Sequence, residues 1–282
     1  MNFSYACVCT LAAASLLAAC DDSTTPAGPI DVTIDFAALV NGADFACGQS
    51  YSGVGASSSD VVFTDFRFYV SGVELIDASG GVEPLELEQD GLWQRDDLAL
   101  LDFEDASTSC VNGTAATNTS VRGTVPAGDY TGLRFTLGVP ESMNHADQSS
   151  AAAPLDLTAL FWSWNAGYKF ARMDHTSAAQ PNGWNVHLGS TGCTPAGDPT
   201  VPATSCANQH RPTVTLDVFD WEVNEVVADY GVLVDDSDLT VNTGPKGCQS
   251  FPGDPECAPV MNNFGLDYEG SASAGQTFFT VR

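Results

Sequence analysis

Short segments in which apolar and polar residues alternate follow one another along most of the chain. Between Asp31 and Leu39, apolar residues recur at every second position, which is the period of a β-strand with one buried face. Further strand candidates lie at 61–76, 82–89, 120–125, 129–139, 211–221 and 277–282. Turn-forming residues separate them, and helical periodicity is confined to Leu155–Trp162 and Asn224–Leu233. The pattern predicts an all-β fold, an antiparallel β-sandwich with long loops and one or two short helices.

The segment 61–76 is the longest of these strand candidates. Phe66 and Phe68 share one face of the strand, whereas Asp65 and Arg67 share the other. This alternation predicts a half-buried strand, with its polar face in water.

The first twenty residues have the pattern of an export signal. The apolar run Thr10–Ala19 is too short for a permanent membrane-spanning helix, and it ends in small residues followed by Cys20. We predict a lipoprotein signal peptide at 1–19, a flexible tether at 20–29 that begins at the lipidated Cys20, and one folded domain at 30–282. Met1–Ala19 contains no Lys or Arg, so simple secretion is the alternative. Either way, the mature chain is exported, to the periplasm or the outer cell surface.

Six cysteines remain once the three in the signal and at its cleavage site are set aside. An even number of thiols in an exported protein predicts disulfides, and a loop rich in Pro and Gly lies between the members of two close pairs. None of the six belongs to a C-x-x-C motif, which disfavours a thiolate metal site. The predicted bridges are Cys47–Cys110, Cys193–Cys206 and Cys248–Cys257.

Charge and missing motifs narrow the function. The chain has 36 acidic and 9 basic residues, a formal net charge of −27, and no cluster of Lys and Arg that could neutralise nucleic acid or an anionic membrane. The run Asp235–Asp238 is predicted to be a polar loop, with weak calcium binding as the alternative. The sequence has no G-x-S-x-G, no H-E-x-x-H, no phosphate loop and no dinucleotide fingerprint. We therefore predict a protein that is not an enzyme.

Residues able to bind a metal concentrate between Met143 and Cys193. This stretch holds three of the four histidines and three of the five tryptophans, namely His145, His175, His187, Trp162, Trp164 and Trp184. Imidazole nitrogens are common ligands of copper and zinc, so the cluster predicts a metal site. Trp184 and His187 can converge on one site if the chain bends between them. His175 lies in the polar segment DHTSAAQPNG and is predicted to be exposed.

Long composite motifs around this cluster resemble those of one protein family. They are VPAGDYTGLRFTLGVP, MNHAD, PLDLTALFWSWNAGYKFARMD and GWNVHLGSTGC, with FRFYVSGVELI and LLDFEDASTSCVNGT upstream. Over roughly 31–282 the chain is similar to the MbnP family of periplasmic or surface copper-binding proteins, named from methanobactin operons.

The resemblance implies a copper cofactor and a partner. His145 in MNHAD and His187 in HLGSTGC match the family motifs best and are the expected ligands. Met143 and Tyr168 are expected close to them. The implied partner is a di-haem enzyme of the cytochrome c peroxidase type (MbnH), which oxidises a tryptophan of its MbnP protein to kynurenine. The candidates for that tryptophan are Trp184, favoured for its closeness to His187, then Trp164 and Trp162.

The sequence thus predicts a cell-envelope copper-binding lipoprotein that serves copper acquisition, storage or delivery. Its alternative is a metal-free carbohydrate-binding or adhesion module, in which the three tryptophans would form a stacking platform.

Overall fold

The computed structural model describes residue 1 and residues 28–163, 165–194 and 201–282. The predicted lipidation site Cys20 and the candidate Trp164 therefore lie outside the described residues. Within the described ranges, no helix has the length and apolar character needed to cross a membrane.

Strands dominate the described part of the chain. In chain order they are β1 (Ile30–Val40), β2 (Ala43–Asp44), β3 (Ser50–Val54), β4 (Ser59–Asp77), β5 (Val82–Pro84), β6 (Glu86–Leu87), β7 (Gln94–Arg95), β8 (Leu98–Asp102), β9 (Ser120–Val125), β10 (Tyr130–Leu137), β11 (Phe161–Ser163), β12 (Gly167–Tyr168), β13 (Ala171–Ser177), β14 (Trp184–Leu188), β15 (Thr191–Thr194), β16 (Ser205–Asn208), β17 (Thr213–Leu216), β18 (Val226–Asp229) and β19 (Phe279–Val281). The helical segments are α1 (Glu141–Asn144), a 3-10 turn (Thr158–Leu160), α2 (Tyr230–Leu233) and α3 (Cys257–Asn263).

Two large sheets pack face to face. One has the strand order β19-β18-β1-β9-β6, with β2 beside β1. The other has the order β14-β13-β4-β10-β17, with β3, β5 and β8 also pairing with the long β4, and β7 pairing with β8. The described strand pairs are antiparallel except β1 with β18, which run parallel. The prediction of an antiparallel β-sandwich is confirmed.

Aromatic side chains fill the space between the sheets. Phe36 of β1 meets Phe68 of β4 and Phe135 of β10 edge to face, at centroid distances of 6.1 and 5.7 Å. Phe279 of β19 reaches the same two rings at 5.5 and 5.1 Å. Such contacts between large buried rings supply much of the apolar burial that stabilises a sandwich.

The half-buried prediction for β4 is wrong, because both faces of this strand are covered. Asp65 and Arg67 are as fully buried as Phe66 and Phe68. The long connection between β10 and β13 lies over the polar face, where the Tyr69 hydroxyl donates a hydrogen bond of 2.8 Å to the Pro154 carbonyl. The alternation of apolar and polar residues in a strand does not show whether a distant loop covers its polar face. Here the loop covers that face and creates a buried polar layer.

The predicted helices are shorter than their sequence windows. In Leu155–Trp162 the helix is limited to the 3-10 turn, and the last two residues begin β11. Asn224–Leu233 divides into β18 and the single turn α2. The first half of that second window pairs in parallel with β1, from Phe36 opposite Val226 onward. Burial of this short apolar run between two strands outweighs its helical periodicity. The helices α1 and α3 were not predicted.

Candidate metal centre

His187 sits near the end of β14, opposite Arg172 of β13. Its Nε2 lies 2.7 Å from Oδ1 of Asp174, two residues further along β13. Its Nδ1 is buried and has no hydrogen-bond partner among the described residues. The imidazole is therefore held at one nitrogen by a carboxylate, while the other nitrogen is left for a further ligand.

A chain of buried ion pairs extends from His187 across the polar face of the sheet. Asp174 also accepts a hydrogen bond of 2.7 Å from Arg172, and Arg172 lies 3.2 Å from Asp65. Arg67 then pairs with the same Asp65. Burial by itself raises the pKa of Asp174, but His187 and Arg172 outweigh it and hold that pKa well below its usual range. Asp174 is consequently a carboxylate at neutral pH, able to fix the orientation of the His187 ring.

The backbone of His187 is held from its other side by the segment after Cys248. The His187 amide donates to the Cys248 carbonyl at 2.9 Å. The Ser250 hydroxyl donates to the His187 carbonyl at 2.8 Å and accepts from the Gly189 amide at 3.2 Å. The disulfide Cys248–Cys257 closes this segment into a loop. His187 is thus on a strand restrained on both edges, which suits a ligand that must not move.

Among the tryptophans that the structure describes, Trp162 contacts His187. Its ring centroid lies 6.3 Å from the imidazole at an interplanar angle of 56°, and 5.4 Å from the ring of Phe251. The close approach depends on Gly189, since a Cβ at that position would lie 2.5 Å from the indole and 2.9 Å from the Tyr168 carbonyl oxygen. The side chain is half-buried, so it remains accessible from solvent.

Trp184 and His175 lie on the opposite face of the same strands, and the expectation that Trp184 converges with His187 is wrong. β14 is a regular strand over Trp184–Leu188, and an odd spacing on a strand places side chains on opposite faces. Trp184 is completely buried, stacks on His175 at 5.8 Å, and donates from Nε1 to the Val241 carbonyl at 3.1 Å. A stacking platform of three exposed tryptophans is therefore not formed.

His175 was predicted to be exposed, and this is wrong. It pairs with Trp184 across β13 and β14, and its ring packs between the rings of Phe63 and Tyr230 in the core. Burial lowers the pKa of His175 from 6.5 to about 4. The polar residues around it in sequence belong to the following turn, so they gave a false indication of exposure.

His145 lies directly after α1 and faces a different group of atoms. Its Nε2 is 3.1 Å from Nδ2 of Asn144, 3.2 Å from Sγ of Cys206 and 3.8 Å from Oε1 of Glu141. Cys206 belongs to the hairpin β15–β16, which continues the chain from β14. The structure therefore places His145 against the hairpin that follows His187, on the Cys193–Cys206 bridge.

The two residues expected near the site support the loop over the sheet. Met143 is half-buried and packs on the main core. Tyr168 is buried, donates from its hydroxyl to the Leu155 carbonyl at 2.7 Å, and burial raises its pKa above the usual value. Its backbone amide donates to Oδ1 of Asn144, the neighbour of His145. Tyr168 thus fixes the loop that carries His145 and Trp162.

His145, Trp162, Asp174 and His187 all fall within a region that a known family shares. The MbnP family model matches residues 29–250. The chain belongs to the MbnP family. The structure of MbnP from Methylosinus trichosporium superposes with a TM-score of 0.79 at 32% sequence identity, covering 90% of this chain and 99% of that one. No curated protein sequence matches the chain.

The three disulfides among the described residues of this MbnP-family chain are the predicted ones. Their S–S distances are 2.02, 2.06 and 2.06 Å, for Cys47–Cys110, Cys193–Cys206 and Cys248–Cys257 respectively. Cys257 lies beyond the region that the family model matches.

The donor set at His187 fits a metal that prefers imidazole. The ring has one open, buried nitrogen, and a carboxylate on the other nitrogen is the usual outer support of a metal-bound histidine. Sequence reasoning missed Asp174 and Arg172, although the alternation Arg172-Met-Asp174 on a strand beside His187 is the signal that could have found them.

Proposed function

We propose that the chain is a cell-envelope copper-binding lipoprotein of the MbnP family, with His187 binding the metal through Nδ1. The observation that carries this proposal is the buried Nδ1 without a partner in the described ranges, on a ring whose Nε2 is held by Asp174 at 2.7 Å. Histidine is a preferred ligand for copper, and the buried carboxylate raises the basicity of the open nitrogen. Family membership supports the choice of copper.

His145 is the proposed second imidazole ligand. It lies on the loop that also carries Trp162, and its ring contacts the hairpin that continues from the His187 strand. The two histidines therefore come from neighbouring segments at one edge of the larger sheet.

Trp162 is the tryptophan that we propose a di-haem partner enzyme oxidises to kynurenine. Its half-buried indole lies against His187, so the new carbonyl and amine would form beside the His187 ring. Trp184 is a poorer candidate because it is fully buried on the other face of the strand. This reverses the preference that sequence distance alone suggested.

Equilibrium dialysis against copper tests the metal site. Wild type is expected to retain copper, and His187→Ala is expected to lose most of it. His175→Phe is the matched control, because it removes a buried histidine from the opposite face of the same strands and keeps the ring contacts with Phe63. Equal copper retention by wild type and His187→Ala would refute the role of His187. Equal loss in both variants would show a general effect on folding instead.

Co-expression with a di-haem partner tests the modification. Mass spectrometry of the peptide between Arg134 and Lys169 is expected to show the mass increase from tryptophan to kynurenine, with fragment ions assigning it to Trp162. The change should persist in Trp184→Phe and disappear in Trp162→Phe. Modification of Trp184 in the wild type would contradict the assignment.

Membrane attachment through Cys20 is a separate part of the proposal. Cys20→Ser is expected to move the protein from the membrane fraction to the soluble envelope fraction, while copper binding by the folded domain persists. A wild-type protein already free of membranes would favour simple secretion.

A further inference from the structure

The disulfide Cys193–Cys206 lies beside an atom that can bind a metal, Nε2 of His145. Both cysteines face each other across β15 and β16, and Nε2 of His145 lies 3.2 Å from Sγ of Cys206. Within the described ranges, these three residues form the one group of His, Cys, Asp or Glu whose donor atoms all lie within 4.8 Å of each other. All three are buried. A carboxylate oxygen of Glu141 lies 3.8 Å from the same Nε2 and could complete a fourth position.

Backbone hydrogen bonds hold the two strands of this hairpin together on both sides of the bridge. Its small apolar cluster, Cys193, Ala203 and Cys206, is separate from the main core. The pairing continues on both sides of the bridge, from Thr191 opposite Asn208 to the Thr204 amide bonded to the Thr194 carbonyl at 2.7 Å. By contrast, Cys248 and Cys257 belong to the main core. Opening the S–S bond would therefore leave the two sulfurs on a framework that still holds them together.

We propose that reduction of Cys193–Cys206 creates a metal site of two thiolates and one imidazole, selective for thiophilic cations. A dithiol reductant supplies two electrons and two protons, so that the S–S bond breaks into two thiols while the reductant closes its own disulfide. The cation then displaces the two thiol protons and binds both sulfurs and Nε2 of His145. Soft thiolate ligands favour Cu(I), Zn(II) and Cd(II) over hard cations.

The separation between sulfur and nitrogen that a bound metal requires is close to the one already present. Metal–sulfur bonds of about 2.3 Å and metal–nitrogen bonds of about 2.0 Å in a tetrahedral site separate sulfur from nitrogen by roughly 3.5 Å, and the two sulfurs by roughly 3.8 Å. His145 Nε2 and Cys206 Sγ are already 3.2 Å apart. Only the two sulfurs must separate after reduction, which side-chain rotation on facing strand positions can provide.

This inference rests on the proposed function in one respect, namely that His145 is shared by the copper site with His187 and the thiolate site at Cys193–Cys206. In the oxidised protein, His145 is the proposed second ligand of the copper site with His187. In the reduced protein, the thiolates take His145 into a second site. The oxidation state of the bridge would then decide which site holds the metal.

Anaerobic titration with Cd²⁺ tests the second site. Protein is treated with dithiothreitol, desalted, and titrated while the thiolate-to-cadmium charge-transfer band is recorded in the ultraviolet. Reduced wild type is expected to show a band that saturates at one cadmium per chain, and the oxidised protein none. His145→Ala is expected to weaken cadmium binding by about tenfold or more. A double variant with Cys193→Ser and Cys206→Ser is expected to lose the band.

Two controls separate this inference from the proposed function. His187→Ala should retain the cadmium band of the reduced protein, even though it loses copper in the oxidised one. Circular dichroism of the reduced wild type should match the oxidised protein, because the hairpin pairing remains. An undiminished band in the double cysteine variant, or cadmium affinity unchanged in His145→Ala, would overturn the proposal.

Discussion

Acid is expected to destabilise the fold through His175, and His175→Phe should remove that effect. The ring lies in the core among Phe63, Trp184 and Tyr230, and neither of its nitrogens has a hydrogen-bond partner in the described part of the chain. Burial disfavours the protonated ring more strongly than Asp174, its neighbour on β13, and the Thr176 backbone favour it. The folded protein therefore resists placing a positive charge at this position.

The size and sign of the effect follow from the two pKa values. Burial lowers the pKa of His175 from 6.5 to about 4 in the folded state. Between these pH values the unfolded chain binds the proton and the folded chain does not, so the free energy of unfolding falls as the pH falls. Each pH unit in this interval lowers the free energy of unfolding by about 1.4 kcal/mol, so that about 3 kcal/mol is lost by pH 4. That is a large part of a typical stability of about 5–15 kcal/mol.

Urea unfolding at about pH 7 and about pH 4 measures this contribution. Wild type should lose about 3 kcal/mol more than His175→Phe over that interval, because the carboxylates titrate alike in both proteins. Phenylalanine keeps the aromatic contacts without a titrating nitrogen, so the variant should also fold well at neutral pH. The same loss of stability in both proteins would show that the buried His175 ring is not the cause of the acid sensitivity.

Two substitutions test how the metal site is held in place. Asp174→Asn should weaken copper binding by about 10- to 100-fold in a competition titration, because the amide no longer fixes and polarises His187. An unchanged copper affinity would show that His187 needs no carboxylate. Gly189→Ala should displace the Trp162 ring, whose atoms would lie 2.5 Å from the new Cβ, and should reduce kynurenine formation in co-expression. Gly244→Ala is its control, since a Cβ there meets nothing within 4 Å. Equal kynurenine yields in the two glycine variants would contradict the packing argument.

The sandwich could be predicted from the sequence because its strands carry strong local signals. The 120–125 segment is a strand with the predicted bounds, and the strand candidate at 61–76 lies within β4. The disulfides were also predictable, because two pairs are close in sequence and one pair then remained. The strands and two of the disulfides depend on residues that are near one another in the chain, whereas Cys47 and Cys110 are 63 residues apart and were paired by elimination.

The buried polar layer could not be predicted, because it depends on a distant segment lying over the sheet. The sequence pattern places Asp65 and Arg67 on a solvent-facing side of the strand. In the structure, the loop near Pro154 covers that side and buries both residues. The strand register explains the remaining differences. Only the pairing of β13 with β14 shows that His187 meets Asp174, while Trp184 meets His175 on the other face.

The most direct test of the copper site is a crystal structure of the oxidised protein soaked with copper, with the metal located by anomalous scattering. Copper is expected at about 2.0–2.1 Å from Nδ1 of His187, with Asp174 still bound to Nε2. Copper bound only at acidic surface groups, with Nδ1 of His187 empty, would contradict it.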